Sequence, residues 1–360
     1  GRSVVSAYDS TFGDLVVVRF DETGTRTSIE YIDGIPANAS VRAAPSGVRR
    51  GVVDPGGNVG KFTSIAVNAA GEARVSYYDI DNKALKFAAQ AGTTWQIHTV
   101  ETGASAGVNG DVGRYTSLVI DGDGKPAIAY FQVAGGPDGK KTAVRLARAK
   151  NATPASEADW DIEDIDSAPL PAGPSLPCGG CAAGQTCVND SPPRCVAPTS
   201  DCNPGCTNSQ ACVSGRCIAK VNAPLPPLDD IPWGVGVMPA LAHVQGAYYL
   251  SYFDRYKGNL KAAIRQPDGT KTIAIIDGEK NGLDTGDVGA FSSIAVDSGG
   301  RIGIAYSDVA RRELRFYSGR ELTGGTIETV DTGLAGPGLK DFVGAELPRR
   351  RWTTHRTLHV

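Results

Sequence analysis

Acidic residues recur at fixed places along this chain. Asp9, Asp79, Asp254 and Asp308 each close an apolar run two residues after Ala or Tyr, and Gln132 takes that place once. A second polar set sits before a recurring Val-Gly: Asn58, Asp111 and Asp287 directly, and Asp341 two residues ahead of Val343. Such side chains cap turns by accepting backbone N–H bonds, and repetition favours that reading. The alternative is an oxygen-rich rim. There Asp9, Asp79, Gln132, Asp254 and Asp308 would meet a ligand, and Asp111, Asp287 and Asp341 would offer hard oxygen donors to Ca²⁺. No cofactor is required by either reading, and Ca²⁺ is the one candidate ion.

All eight cysteines lie between Cys178 and Cys217. They form two similar halves, Cys178-x2-Cys181-x5-Cys187-x7-Cys195 and Cys202-x3-Cys206-x5-Cys212-x4-Cys217. Zinc ribbons use paired C-x2-C knuckles, and only Cys178 and Cys181 make one, with no histidine nearby. Disulfides in an oxidising compartment are the better reading. Four cysteines per half permit three pairings. First-to-third with second-to-fourth is the favoured pattern in each half.

Other chemical patterns are weaker. Gly103–Gly107 reads G-x-S-x-G, but a nucleophile elbow needs a strand before it and a helix after it. Asp121-Gly122-Asp123-Gly124 falls in the slot of Asn68–Gly71 and Asp297–Gly300, so it reads as a turn. His98, His243, His355 and His359 have no metal spacing. Five-bladed glycosidases use two carboxylates set apart. Here the acids mostly repeat, and no matched pair stands out. Trp95 and Trp160 hold equivalent places, which favours packing. Three glycosylation sequons begin at Asn38, Asn151 and Asn189.

The elements that carry these residues repeat. Val59, Val112 and Val288 each open a Val-Gly-x-aromatic-[Ser/Thr]-Ser-aliphatic run, followed by a Gly turn and a second apolar strand. Val235 opens a weaker copy. The interval from Val59 to Val112 equals that from Val235 to Val288. A period of roughly 40–50 residues holding several strands marks a propeller blade. Each full repeat supplies four strands, as in Phe62–Val67, Arg74–Tyr78, Leu85–Ala89 and Trp95–Val100. Ser3–Tyr8, Leu15–Phe20 and Ser28–Ile32 lack a first strand, which is expected from beyond Val343. The expected fold is an all-β, five-bladed β-propeller whose first blade is closed by both termini, with a small disulfide-rich insert. Blades one to three occupy 1–166, the Cys-rich insert with Pro-rich arms 167–233, and blades four and five with the closing strand 234–360. The tail AELPRRRWTTHRTLHV departs from the repeat, as a shifted reading frame would.

The long connections, Gly34–Asn58, Val133–Lys141 and Ser167–Trp233, fall on one face of such a ring, and that face is the expected seat of binding. The cysteine module is expected to project there on Pro-rich arms. Net charge is −3, which implies no broad attraction to nucleic acid. No apolar run approaches the ~20 residues of a membrane helix, so membrane insertion is not expected. Gly1 enters a strand directly, as a trimmed product would.

The string SIAVNAAGEARVSYYDIDNKALKFA, with Trp95 after the next turn, resembles repeats of secreted bacterial propellers, distantly similar to BNR/Asp-box sialidase-type repeats. The resemblance covers Gly1–Asp33, Val59–Asp166 and Val235–Asp331. It implies fold and not activity, because the S-x-D-x-G-x-T-W box and an arginine triad are missing. The cysteine halves resemble modules of bacterial surface proteins. The resulting expectation is a secreted or cell-surface protein that binds without catalysis, recognising a glycan or a surface protein for adhesion. A polysaccharide hydrolase, or an architectural subunit that assembles with its own copies, are the alternatives.

Overall fold

The computed structural model describes residues 2–35, 56–107, 110–134, 140–170, 185–188, 194–203, 205–206, 210–219, 232–280, 283–284, 286–309, 311 and 313–332. They fall into two compact units, 1–169 with 232–360, and 170–231. Both are built from antiparallel strands.

The larger unit is a series of meanders in chain order. Strands β1 (Ser3–Asp9), β2 (Asp14–Phe20) and β3 (Arg26–Asp33) form the first sheet. The second holds β4 (Val59–Val67), β5 (Ala73–Asp79), β6 (Ala84–Ala91) and β7 (Thr94–Glu101). The third holds β8 (Asp111–Ile120), β9 (Pro126–Ala134), β10 (Lys140–Ala149) and β11 (Trp160–Leu170). In the smaller unit, β12 (Thr186–Val188) pairs with β13 (Arg194–Val196), and β14 (Gln210–Val213) with β15 (Arg216–Ala219). The fourth sheet holds β16 (Val235–Val244), β17 (Ala247–Asp254), β18 (Asn259–Arg265) and β19 (Lys271–Asp277). After a short pair, β20 (Glu279–Lys280) and β21 (Leu283–Asp284), the fifth holds β22 (Val288–Val296), β23 (Ile302–Asp308), β24 (Glu313–Gly319) and β25 (Thr326–Asp331). The strand expected after Val343 lies outside the described residues.

First strands lie side by side: β4 against β8, β8 against β16, β16 against β22. They form an inner layer. Apolar cores sit between consecutive sheets. Between the second and third these are Leu85, Phe87, Val112, Ile128, Tyr130 and Trp160, all buried. Val144, Leu146 and Ile165 meet Val235, Leu250 and Tyr252 at the next junction. Alternation along each strand turns one row of side chains toward each neighbour, so a sheet packed between two others buries residues on both faces. Hydroxyls of the inner layer bond to hydroxyls on the sheet before and tie sheets together. Thr63 donates to Ser6 (2.9 Å), Ser76 to Thr116 (2.8 Å), and Ser251 shares a bond with Ser292 (2.9 Å).

The Val-Gly pair has a steric cause. Gly60, Gly113, Gly236 and Gly289 have φ between 93° and 107°. A Cβ on Gly60, Gly113 or Gly289 would lie 2.8, 2.7 or 2.7 Å from the Cα of Leu15, Leu85 or Leu260 on the preceding sheet. On Gly236 it would lie 2.3 Å from the Val144 nitrogen. Only hydrogen fits there. The next residues but one, Phe62, Tyr115, Met238 and Phe291, are left-handed at φ 53–56°, within β-bulges. Each such residue costs about 1–3 kcal/mol and is held by its surroundings.

In the smaller unit Cys202 pairs with Cys212 and Cys206 with Cys217. This is first-to-third with second-to-fourth. Cys187 and Cys195 face each other across β12 and β13. Cys178 and Cys181 lie outside the described residues.

The close approach yields a direct expectation. Gly113→Ala places a methyl into the Leu85 backbone at a positive φ. It should cost about 2–4 kcal/mol, read as a lower urea midpoint. Gly122→Ala, in open space, should change the midpoint little. Equal effects of the two would contradict the packing account.

Candidate functional site

The last strand of each of the first four sheets carries an acid that grips the next sheet. Asp33 of β3 accepts from the Tyr77 hydroxyl (2.7 Å), Asp166 of β11 from Tyr252 (2.7 Å) and Asp277 of β19 from Tyr306 (2.8 Å). Glu101 of β7 accepts from Tyr130. A cation on the third strand completes each group: Lys86 on Asp33, Arg145 on Glu101, Lys261 on Asp166, and Arg315 on Asp277 at 2.8 Å. Burial, then the adjacent carboxylate, pushes Tyr77, Tyr130 and Tyr252 well above the ordinary phenol range. The phenols therefore stay donors. These acids recur at one repeat position, and the spacing alone could have found them.

The acids singled out from sequence mostly serve turns. Asp9 accepts from the Thr11 N–H (2.9 Å), and Asp79 from the N–H and side-chain amide of Asn82 (3.0 and 2.9 Å). Asp254 accepts from the N–H groups of Tyr256 and Lys257 (3.1 and 3.2 Å). Burial pushes its carboxyl up against their pull. Asp308 accepts from the Arg311 N–H (2.8 Å) and pairs with Arg311 and Arg315, each at 2.9 Å. Asp121 likewise takes the Asp123 and Lys125 N–H groups of its turn (2.9 and 2.8 Å).

Asp111 pairs with Arg114 at 2.7 Å, and the carbonyl of Asp287 accepts from the Val309 N–H (2.8 Å). Asp341 lies outside the described residues. Among the described residues, the groupings of three metal-ligating side chains are Cys202–Cys206–Cys217 and Asp201–Cys202–Cys212, whose thiols are in disulfides. Asp111 and Asp287 join no such grouping.

The third sheet breaks the repeat. Gln132 stands where the others carry the turn acid, and the β9–β10 connection is longer. Asp164 on β11 stands where the equivalent strands carry Tyr31, Thr99, Ile275 and Thr329. Here a crevice of about 360 Å³ opens toward the second sheet, lined by Ser105, Gly107, Gln132, Lys141, Arg145 and Asp164. Lys141 donates to Asp164 at 2.7 Å. Arg145 Nε lies 2.8 Å from Asp164 Oδ1, an ion pair without hydrogen-bond alignment. The same guanidinium contacts Glu101. Burial works against the Arg145 charge, but Tyr130, Glu101 and Asp164 outweigh it and raise its pKa. Two carboxyl groups thus flank one cation, Glu101 buried and Asp164 about 30% exposed. Ser105, centre of the G-x-S-x-G run, lies in the short 3-10 helix Gly103–Ala106 and donates to the Thr102 carbonyl (2.6 Å). It is not on a strand-to-helix elbow.

No family model matches the chain, and no curated protein matches it. Solved structures similar to it include the GH93 α-L-arabinofuranosidase of Fusarium graminearum with arabinobiose, at 9% identity and TM-score 0.38 over 83% of this chain and 69% of that one. A thermostable family-43 glycoside hydrolase matches at 9% and 0.35 over 97% and 91%, and polysaccharide lyase Uly1 at 9% and 0.41 over 94% and 80%. Likeness at this level transfers no activity. The names of these neighbours are those of carbohydrate-acting enzymes, which stands against the expectation of a non-catalytic adhesion platform and of a chain that is no enzyme, and that expectation is not carried further.

The buried phenols set a pH dependence. Their folded pKa values lie above the unfolded value of about 10. The stability this gives is fully present below that pH and falls as pH rises past it, because only the unfolded chain releases the protons. Absorbance titration should show Tyr77, Tyr130 and Tyr252 ionising only on unfolding. All twelve tyrosines titrating near the ordinary value in folded protein would contradict this.

Proposed function

We propose that this chain is a hydrolase of polysaccharide, working at the crevice between the second and third sheets. The observation that supports it is the local loss of repetition. Gln132 replaces the turn acid of the sibling sheets, Asp164 is a carboxylate where they carry tyrosine, threonine or isoleucine, and both line one crevice with Lys141. A repeat scaffold needs no such departure for packing, whereas a single active site does.

Glycoside hydrolysis uses two carboxyl groups with different duties. Two cations facing Asp164 suit a carboxylate that draws a proton from water or meets developing positive charge on the sugar. Glu101, buried against the same guanidinium and bonded by Tyr130, holds Arg145 in place beside Asp164. The sheets complete a five-bladed ring in this reading, with the first blade closed by the C-terminal segment. The disulfides Cys202–Cys212 and Cys206–Cys217 suit an extracellular setting, where polysaccharide is encountered.

The test is release of reducing ends from a panel of plant and bacterial polysaccharides. Asp164→Asn should reduce the rate about 10²–10⁴-fold with unchanged thermal midpoint. No reducing ends from any panel member would overturn the reading. So would products with unsaturated ends, the mark of a lyase.

A further inference from the structure

The inner layer is chemically lopsided. On the second sheet Lys61 follows Gly60, and on the third Arg114 follows Gly113. The fourth and fifth sheets carry Val237 and Ala290 there. Each cation belongs to a three-residue group repeated in neighbouring sheets. The Tyr8 hydroxyl donates to Asn58 Oδ1 (2.8 Å), and Lys61 lies 5.7 Å from the centroid of the Tyr8 ring. One sheet on, Arg114 pairs with Asp111 (2.7 Å) and lies 5.5 Å from the Tyr78 centroid. Phe131 and Phe253 replace that tyrosine at the next two junctions.

Rings gather beside the cations. The bulged Phe62 and Tyr115 approach to 4.3 Å between centroids, Phe62 lies 6.0 Å from Tyr78, and Tyr115 lies 6.5 Å from Phe131. Lys61 is exposed and has no acidic partner among the described residues, while Asn58 is neutral where the third sheet has Asp111. Arg114 is matched by Asp111 and the Asn58 N–H by the Asp81 carboxylate (2.7 Å), which leaves Lys61 as the cation of the group without an ion pair among the described residues. Two buried polar atoms in it, Arg114 Nε and Asp111 Oδ1, have no hydrogen-bond partner among the described residues. Asp111 opens the strand that follows the loop lining the crevice.

We infer that this cluster binds a carboxylate-bearing sugar unit, a uronate, of the polysaccharide. Aromatic faces take the apolar side of a sugar ring. Ammonium and guanidinium groups take its carboxylate by charge-assisted hydrogen bonds. Neutral arabinan or galactan chains would leave Lys61 unmatched. The inference deepens the hydrolase reading and names its substrate class.

The experiment is calorimetric binding to the full chain of oligogalacturonate, of its methyl ester, and of a sulfated galactan oligomer. Oligogalacturonate should bind at least about tenfold tighter than the ester. Lys61→Gln should remove most of that difference while leaving the melting temperature unchanged. Equal binding of acid and ester, no binding of the acid, or an unaffected Lys61→Gln variant would each overturn the inference. Binding of the sulfated oligomer but not the uronate would also overturn it. Cleavage of a neutral glycan without uronate binding defeats this inference alone. Uronate binding with no cleavage of any polysaccharide defeats the hydrolase reading alone.

Discussion

Four glycines set how closely the sheets of the larger unit approach. At Gly60, Gly113, Gly236 and Gly289 the first strand of one sheet runs against the backbone of the sheet before it, with room for hydrogen and nothing more. That contact fixes the spacing at which Leu85 and Phe87 meet Ile128, Tyr130 and Trp160. It also fixes the reach of the fourth-strand acid to the tyrosine and cation of the next sheet. The bulge two residues later stores backbone strain at Phe62, Tyr115, Met238 and Phe291 and leaves those side chains clear of the regular ladder.

Repetition makes this scaffold robust and also limits it. A group present at every junction serves every junction, as Asp33, Glu101, Asp166 and Asp277 do. Chemistry needs a place where the pattern fails. In the proposed hydrolase the third sheet is that place. It exchanges a turn acid for Gln132, brings in Lys141, and puts Asp164 on a strand whose siblings carry tyrosine, threonine or isoleucine there. The guanidinium of Arg145 links both worlds. It completes the junction group with Glu101 and also faces the unrepeated Asp164.

Much of the strand pattern was legible in the sequence, because period-two alternation and Gly turns are local signals. Strand ends were extended by the structure, as at β4, where Val59 to Lys61 join the ladder ahead of Phe62. The turn role of Asp79 was also legible, since it depends on repeat position. The crevice was not. Lys141 and Asp164 lie on different strands, and only the β10 register and the ion pairing bring them together. The weight given to repeated acids drew attention to Asp9 and Asp254, whose bonds are local. The proposed site rests on the opposite signal, an acid without counterparts.

Asp164 and Asp166 allow the sharpest comparison, being two residues apart on β11, with one unrepeated and the other a junction acid. The measurement is turnover per folded molecule, alongside the thermal midpoint, for Asp164→Asn and Asp166→Asn. The account predicts lost turnover with an intact midpoint for the first, and a lowered midpoint with retained turnover for the second. The reverse assignment, or the same loss of both properties in each, would contradict it.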